Sequence, residues 1–285
     1  MKNVYLLIIF TLYFTNSKCQ NSENLTEYIG PKNGSLVIVG GAMKSEAIMN
    51  RFINLAGGKD AAIVVIPTAS GREHYNENSG FAKKLRALGA TNVTVLHTND
   101  KKIANTESFV KPLLKANGVW FGGGRQWRLV DSYKNTLTET MFKKVLERGG
   151  VIGGSSAGAT IQGSYLARGD TKNNQIMMGD HEEGFNFMKN VAIDQHVLAR
   201  NRQFDMFEIL KNRPELLGIG IDEDTAIVVK GNEFQVIGKS YVLVYDGSFF
   251  SREGKLLKKL PEKSNLFYFL GKGEKYDLLN RKVKR

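Results

Sequence analysis

The chain has 285 residues, 42% of them hydrophobic and 24% charged, which excludes a disordered or collagen-like polymer and leaves room for one large domain with its own core. Forty Lys and Arg against 28 Asp and Glu give a formal charge of +12, a balance that raises a polyanion or a membrane surface as a partner to be tested. The single cysteine, Cys19, excludes both a disulfide framework and a cysteine-ligated metal site.

The first twenty residues read as an address. Met1-Lys2-Asn3 gives a positive start, residues 4–14 are apolar apart from Tyr5, Thr11 and Tyr13, and residues 15–20 turn polar. The run is too short to anchor across a bilayer and has the three-part layout of a secretory signal. Cleavage near Gln20 would place the mature chain in the periplasm or outside the cell. A core strand and lipidation at Cys19 are the alternatives, and Asn16-Ser17-Lys18 is a poor acylation context. Loss of residues 1–20 removes two lysines and no acid, bringing the charge from +12 to about +10. A cysteine-free product suits an oxidising compartment.

Residues 21–34 read as a polar linker and residues 35–285 as one domain. Apolar strands are expected at 36–39, 61–66, 93–96, 118–121 and 151–154. They alternate with amphipathic helices at 45–55, 81–88, 107–115 and 138–147. Continuous apolar strands joined by helices predict an α/β fold, a doubly wound and mostly parallel sheet covered on both faces. In the last third, strands at 219–222, 225–230, 233–237 and 241–245, joined by short turns, predict an antiparallel C-terminal extension. No second apolar stretch is long enough for a membrane span.

Ligands of such sheets sit beyond the carboxyl ends of the strands. There, Gly154-x-Ser156-x-Gly158 matches a nucleophile elbow, a strained strand-to-helix turn that exposes a serine hydroxyl. The amide of Ala157, opening the helix, aims at a developing oxyanion. A serine needs a base, and the chain has four histidines. His196 ends a short strand in a polar run and is the best candidate; His97, His74 and His181 lie in less suitable contexts. The orienting acid is Glu223, in the cluster Asp222-Glu223-Asp224 at another strand end, or Asp170. The order Ser156, His196, Glu223 departs from the serine, acid, histidine order of α/β-hydrolases, which Asp170 would restore. Gly122-Gly123-Gly124, after the strand at 118–121, lets a ligand approach the backbone, so Gly123 and Gly124 are candidates for the second oxyanion donor. It lacks the residues of a nucleotide phosphate loop. Gln126 can bond a peptide-like ligand, and Arg200 and Arg202 suit bidentate carboxylate binding.

These segments, with Asp194-Gln195-His196 and residues 218–226, resemble cyanophycinase, of the dipeptidase E-like serine peptidases. The resemblance implies a flavodoxin-like sheet akin to class I glutamine amidotransferases. It also implies Ser156 as nucleophile, His196 as base and Glu223 as acid, with Gln126, Asp194, Gln195, Arg200 and Arg202 around a β-aspartyl substrate. The implied reaction is release of β-aspartyl-arginine dipeptides from the arginyl-aspartate polymer. One position departs: Asp205 stands where the family carries a further arginine, so either carboxylate recognition changes or Asp205 meets a guanidinium. This weakens cyanophycin itself as substrate and admits other isoaspartyl peptides. No metal or organic cofactor is called for, since residues 180–183 lack a convincing ligand arrangement. A homodimer is compatible with the sequence. A non-catalytic polyanion binder is the competing class, but the basic residues at 255–263 and 281–285 are scattered without aromatic interleaving, so no nucleic-acid partner is expected.

Overall fold

Short β-branched runs with no polar face can be satisfied only by burial on both sides, and five of them form the centre of the sheet. In the computed structural model, which describes residues 27–78, 80–248, 250 and 266–284, these are β1 (Ser35–Val39), β2 (Ile63–Ile66), β3 (Val93–Val95), β4 (Gly118–Phe121) and β5 (Val151–Ser155). They pair in parallel in the order β1-β5-β4-β2-β3. The segment read as a secretory signal, 1–20 with Cys19, lies outside the described residues.

Helices α1 (Glu46–Leu55) and α2 (Gly80–Ala87) cover one face, where Val37, Val39, Phe52, Val65 and Trp120 form one core. The other face carries α3 (Lys101–Ala104), α4 (Glu107–Val110), α5 (Trp127–Tyr133) and α6 (Leu137–Glu147). Its core joins Leu36, Ile38, Phe121, Phe142 and Ile152. The helix expected at 107–115 ends early, and residues Lys111–Leu114 continue as a 3-10 turn. Pro112 has no N–H to donate and its ring crowds the preceding turn.

The C-terminal third departs from a single edge extension. Strands β9 (Thr225–Lys230), β10 (Glu233–Gly238), β13 (Lys275–Asp277) and β14 (Lys282–Lys284) do extend the main sheet, antiparallel from β1. A second sheet takes the rest, in the order β12-β11-β8-β7-β6: β12 (Tyr268–Leu270), β11 (Val242–Tyr245), β8 (Leu217–Ile221), β7 (Met188–Gln195) and β6 (Gly163–Tyr165). Strand β8, fully buried, needs cover on both faces. Val191, Ile193, Ile219 and Ile221 join the core beneath the first sheet, and α8 (Met206–Asn212) packs outside through Met206 and Ile209. Gly218 and Gly220 sit close under their neighbours, where a Cβ would stand 2.7 Å from Met206 and 3.0 Å from Val197 and would force them to shift.

The short helix α7 (Ala157–Thr160) follows β5. Residues 29–31, read from sequence as linker, bond to the β9–β10 turn: Gly30 N–H donates to Gly231 O and Gly231 N–H to Pro31 O, both at 3.0 Å. Among the described residues, no helix is long and apolar enough to cross a membrane.

Candidate active site

Three residues from two sheets meet at the carboxyl end of β1. Ser156, between β5 and α7, has φ 59° and ψ −115°. A non-glycine residue holds such a conformation at a cost of about 1–3 kcal/mol, and only where its surroundings fix it. The glycines on either side make that closure feasible. A Cβ on Gly154 would lie 2.1 Å from Gly158 O, and one on Gly158 would lie 2.2 Å from Phe121 O.

His196, directly after β7, also has positive φ, 55°. Its ring lies against Gly41, where a Cβ would be 2.1 to 2.6 Å from the imidazole atoms. His196 Nε2 is 3.0 Å from Ser156 Oγ, and Nδ1 is 2.6 Å from Glu223 Oε1. With the ring proton on Nδ1 and donated to Glu223, Nε2 is the acceptor for the serine hydroxyl. Burial lowers the His196 pKa below its ordinary 6.5; the Glu223 hydrogen bond opposes this, and Arg200 and Arg202 reinforce it.

Glu223 is free for this role because its acidic neighbours are engaged elsewhere. Asp222 accepts from the amides of Leu198 and Ala199 and from Ser240 Oγ, fixing the loop that follows His196. Asp224 accepts from the amides of Lys44 and Ser45 at the start of α1. The alternative acid Asp170 is not brought to His196: its Oδ1 closes a turn by accepting from the amides of Lys172 and Asn173, and its carbonyl accepts from Arg125. Of the other histidines, His97 bonds Thr68, His181 bonds Asp131 and Asp180, and His74 lies exposed in a loop.

Gly122 N–H and Arg125 N–H donate to Ile66 O and Ala69 O, while those of Gly123 and Gly124 have no backbone acceptor among the described residues. Gly123 borders the serine, its built Cβ being 3.4 Å from Ser156 Cβ. Gly124 also packs on Ala69, where a Cβ would be 2.0 Å from the carbonyl oxygen, so the absence of a side chain lets two loops touch. Ala157 N–H is the first of its helix and likewise has no acceptor among the described residues.

The residues assigned to substrate by resemblance divide. Gln126 is fully buried and donates through Nε2 to Ala167 O at 2.7 Å, with its Oε1 unpartnered among the described residues. Asp194, 2% exposed, is taken up by Arg168, which meets its two oxygens at 2.8 and 2.9 Å. Asp205 meets the same guanidinium at 2.5 Å. Sequence reasoning missed Arg168 as the partner of both acids; its signal was weak, one arginine in a loop. Gln195 contacts Arg202 at 3.5 Å through its Oε1. Arg202 is buried with no carboxylate within ion-pairing distance among the described residues, and with Arg200 it lines a cavity of about 670 Å³. Burial, then the neighbouring Arg168, lower the Arg202 pKa from its ordinary value.

The arrangement can support acyl transfer: a serine hydroxyl bonded to an imidazole, a carboxylate on the other ring nitrogen, and unclaimed amides beside them. Among the described residues no group of three His, Cys, Asp or Glu side chains stands close enough to hold a metal ion.

The Peptidase family S51 profile matches residues 36–237. The chain is 33% identical over 262 residues to a cyanophycinase of Geminocystis herdmanii, covering 87% of this chain and 94% of that protein. It is 30% identical over 232 residues to a cyanophycinase of Synechococcus elongatus, covering 79% and 71%. The crystal structure of a peptidase from an acI-B1 actinobacterium superposes with a TM-score of 0.62 at 27% identity, covering 87% of this chain and 98% of that one. A match over that span, joined to relatives aligned along most of their length, makes the chain a member of peptidase family S51, a serine peptidase.

Proposed function

We propose that this peptidase hydrolyses β-aspartyl peptide bonds through an acyl-enzyme on Ser156. The observation that carries the reading is the 3.0 Å contact of Ser156 Oγ with His196 Nε2, backed by Glu223 at 2.6 Å. Ser156 Oγ attacks the β-carbonyl carbon while its proton passes to His196 Nε2, and the amides of Gly123 and Ala157 receive the oxyanion. The C–N bond breaks as His196 returns the proton to the leaving amine. Water, deprotonated by His196, then attacks the ester, releasing the acid and restoring the serine. Two relatives named cyanophycinase support the β-aspartyl class, and the unpaired Arg202 beside Arg200 suits a substrate carboxylate.

Within that class the substrate is either the arginyl-aspartate polymer or shorter isoaspartyl peptides. Asp205 favours the second, because a carboxylate bound to Arg168 replaces a cation on that side of the site. We also propose that the chain is exported, on the layout of residues 1–20.

The test is to incubate the mature chain with cyanophycin and a panel of isoaspartyl dipeptides, reading products by mass spectrometry. Turnover is expected, and Ser156→Ala should abolish it without changing the melting temperature; turnover retained by the variant ends the proposal. A fluorophosphonate should label Ser156 in the folded protein. Absence of labelling with the cavity shown to be accessible would favour a non-catalytic polyanion binder.

A further inference from the structure

We infer that the cavity beside the Gly122–Gly123 turn selects β-aspartyl dipeptides whose second residue has an apolar side chain and a free carboxylate, in preference to arginyl ones. The inference rests on the β-aspartyl reading above and narrows it. The cavity, about 370 Å³, opens at the carboxyl ends of β2, β4 and β5 and is bordered by Gly122, Gly123 and Ser155. Gly123 ties it to the reaction, since a Cβ built there lies 3.9 Å from Ser156 Oγ. A group attached next to the attacked carbonyl can therefore reach the cavity.

Its walls are largely apolar and preformed. Val65 and Trp120 are buried to 1% exposure, Met43, Pro67 and Phe81 join them, and the hydroxyls of Ser70 and Tyr75, also in the lining, bond each other at 2.6 Å. The Phe81 ring stacks on the Trp120 indole at 3.9 Å and 18°, and Phe52 meets the indole edge at 5.0 Å from behind the cavity. Little side-chain freedom is left to lose when a ligand enters, which favours binding.

The charges at the mouth are of one sign. Arg72 and Lys84 line it, both exposed, and no Asp or Glu is among the lining residues. Neither cation has a carboxylate within ion-pairing distance among the described residues, and Lys84 Nζ donates to Met43 O at 3.3 Å. An arginyl side chain would bring a third cation into a cavity offering it no acid, and would lose water in doing so. A leucyl or phenylalanyl side chain would bury apolar surface there and leave its carboxylate at Arg72 and Lys84. A β-aspartyl dipeptide has two carboxylates. The molecule offers two separate cation pairs, Arg72 with Lys84 lining this cavity and Arg200 with Arg202 lining another.

The test compares kcat/KM of the full mature chain for β-Asp-Leu, β-Asp-Phe, β-Asp-Arg and β-Asp-Glu. The two apolar peptides should exceed the arginyl one by at least about tenfold, and amidation of the leucyl carboxylate should raise KM by about tenfold. Arg72→Glu, at an exposed position, should erase the advantage of leucine over arginine with the melting temperature unchanged. Arginyl or glutamyl peptide cleaved as fast as the leucyl one overturns this inference and leaves the β-aspartyl reading standing, as does an Arg72→Glu variant with unaltered preference. No turnover of any dipeptide or of cyanophycin, with Ser156 still labelled by a fluorophosphonate, overturns both.

Discussion

Gly41 touches no substrate in the proposed reaction, yet replacing it with alanine should disable the enzyme. A Cβ at this position would sit 2.1 Å from His196 Cε1 and 2.4 Å from Nε2. Non-bonded carbons settle at about 3.5–4.0 Å, so the ring must retreat by more than about 1 Å. The retreat is not free: Ser156 Oγ is 3.0 Å away on one side and Glu223 Oε1 2.6 Å on the other, and a shift of that size breaks at least one of the two bonds. A misplacement of 1 Å in a reacting geometry costs about 10²-fold, and kcat/KM for a cleaved β-aspartyl peptide should fall by at least that much. The strain of alanine at φ +128° adds about 1–3 kcal/mol of destabilisation. Each kcal/mol lowers the melting temperature of a domain this large by about 2–4 °C. The assay therefore pairs steady-state hydrolysis with the rate of fluorophosphonate labelling and a thermal melt. A folded Gly41→Ala protein that keeps kcat/KM within about threefold of the parent refutes the packing argument.

Glu223→Gln should lower kcat by about 10²–10⁴-fold with little change in melting temperature, whereas Asp170→Asn, which keeps the turn acceptor, should leave kcat in place. Catalysis needs a neutral imidazole. Because His196 is shifted below 6.5, the midpoint of the acidic limb should lie beneath pH 6.5; Arg200→Gln removes a cation that disfavours imidazolium, so the limb should move upward in pH, and a downward move contradicts the assignment. Arg168→Ala leaves Asp194 buried and uncompensated, which should cost about 3–5 kcal/mol by chemical denaturation, and a loss under about 1 kcal/mol would deny the pair its structural role.

The parallel core was legible because its strands are buried on both faces and read as unbroken apolar runs. Residues 118–121 are the clearest case, with both ends of the strand recovered. Ser156 was legible for a related reason: Gly154 and Gly158 mark a contact between backbones, which only glycine allows. The second sheet was not legible. Strands β8 and β9 read alike as apolar runs, and nothing local says that the three acids between them carry the chain from one sheet to the other. The same limit hid Arg168. An arginine that neutralises Asp194 and Asp205 across 26 and 37 residues has no periodicity to reveal it. Gly40-Gly41 is a strand-end pair like Gly122-Gly123, and nothing near it in sequence says that the imidazole of residue 196 packs on it.

That pair explains how three strained or loop-borne residues hold one geometry. Three successive carbonyls at the end of β1 accept the amides of the three segments involved. Val39 O takes Ser156 N–H at 3.0 Å, Gly40 O takes His196 N–H at 2.9 Å, and Gly41 O takes the N–H of Asp224, next to Glu223, at 2.9 Å. Ser156, His196 and Asp224 all have positive φ, at 59°, 55° and 50°, and each would relax in isolation. Strand β1 lies between β5 and β9, with Gly40 N–H donating to Thr225 O, so the acceptors cannot move without breaking the sheet. Ser156, His196 and Glu223 are thus set relative to one peptide segment rather than to each other. A glycine without Cβ is required there because the imidazole must lie flat on the chain that holds its own backbone. Perturbing residues 39–41 should therefore disturb all three positions together, and its cost should not add to that of a triad substitution.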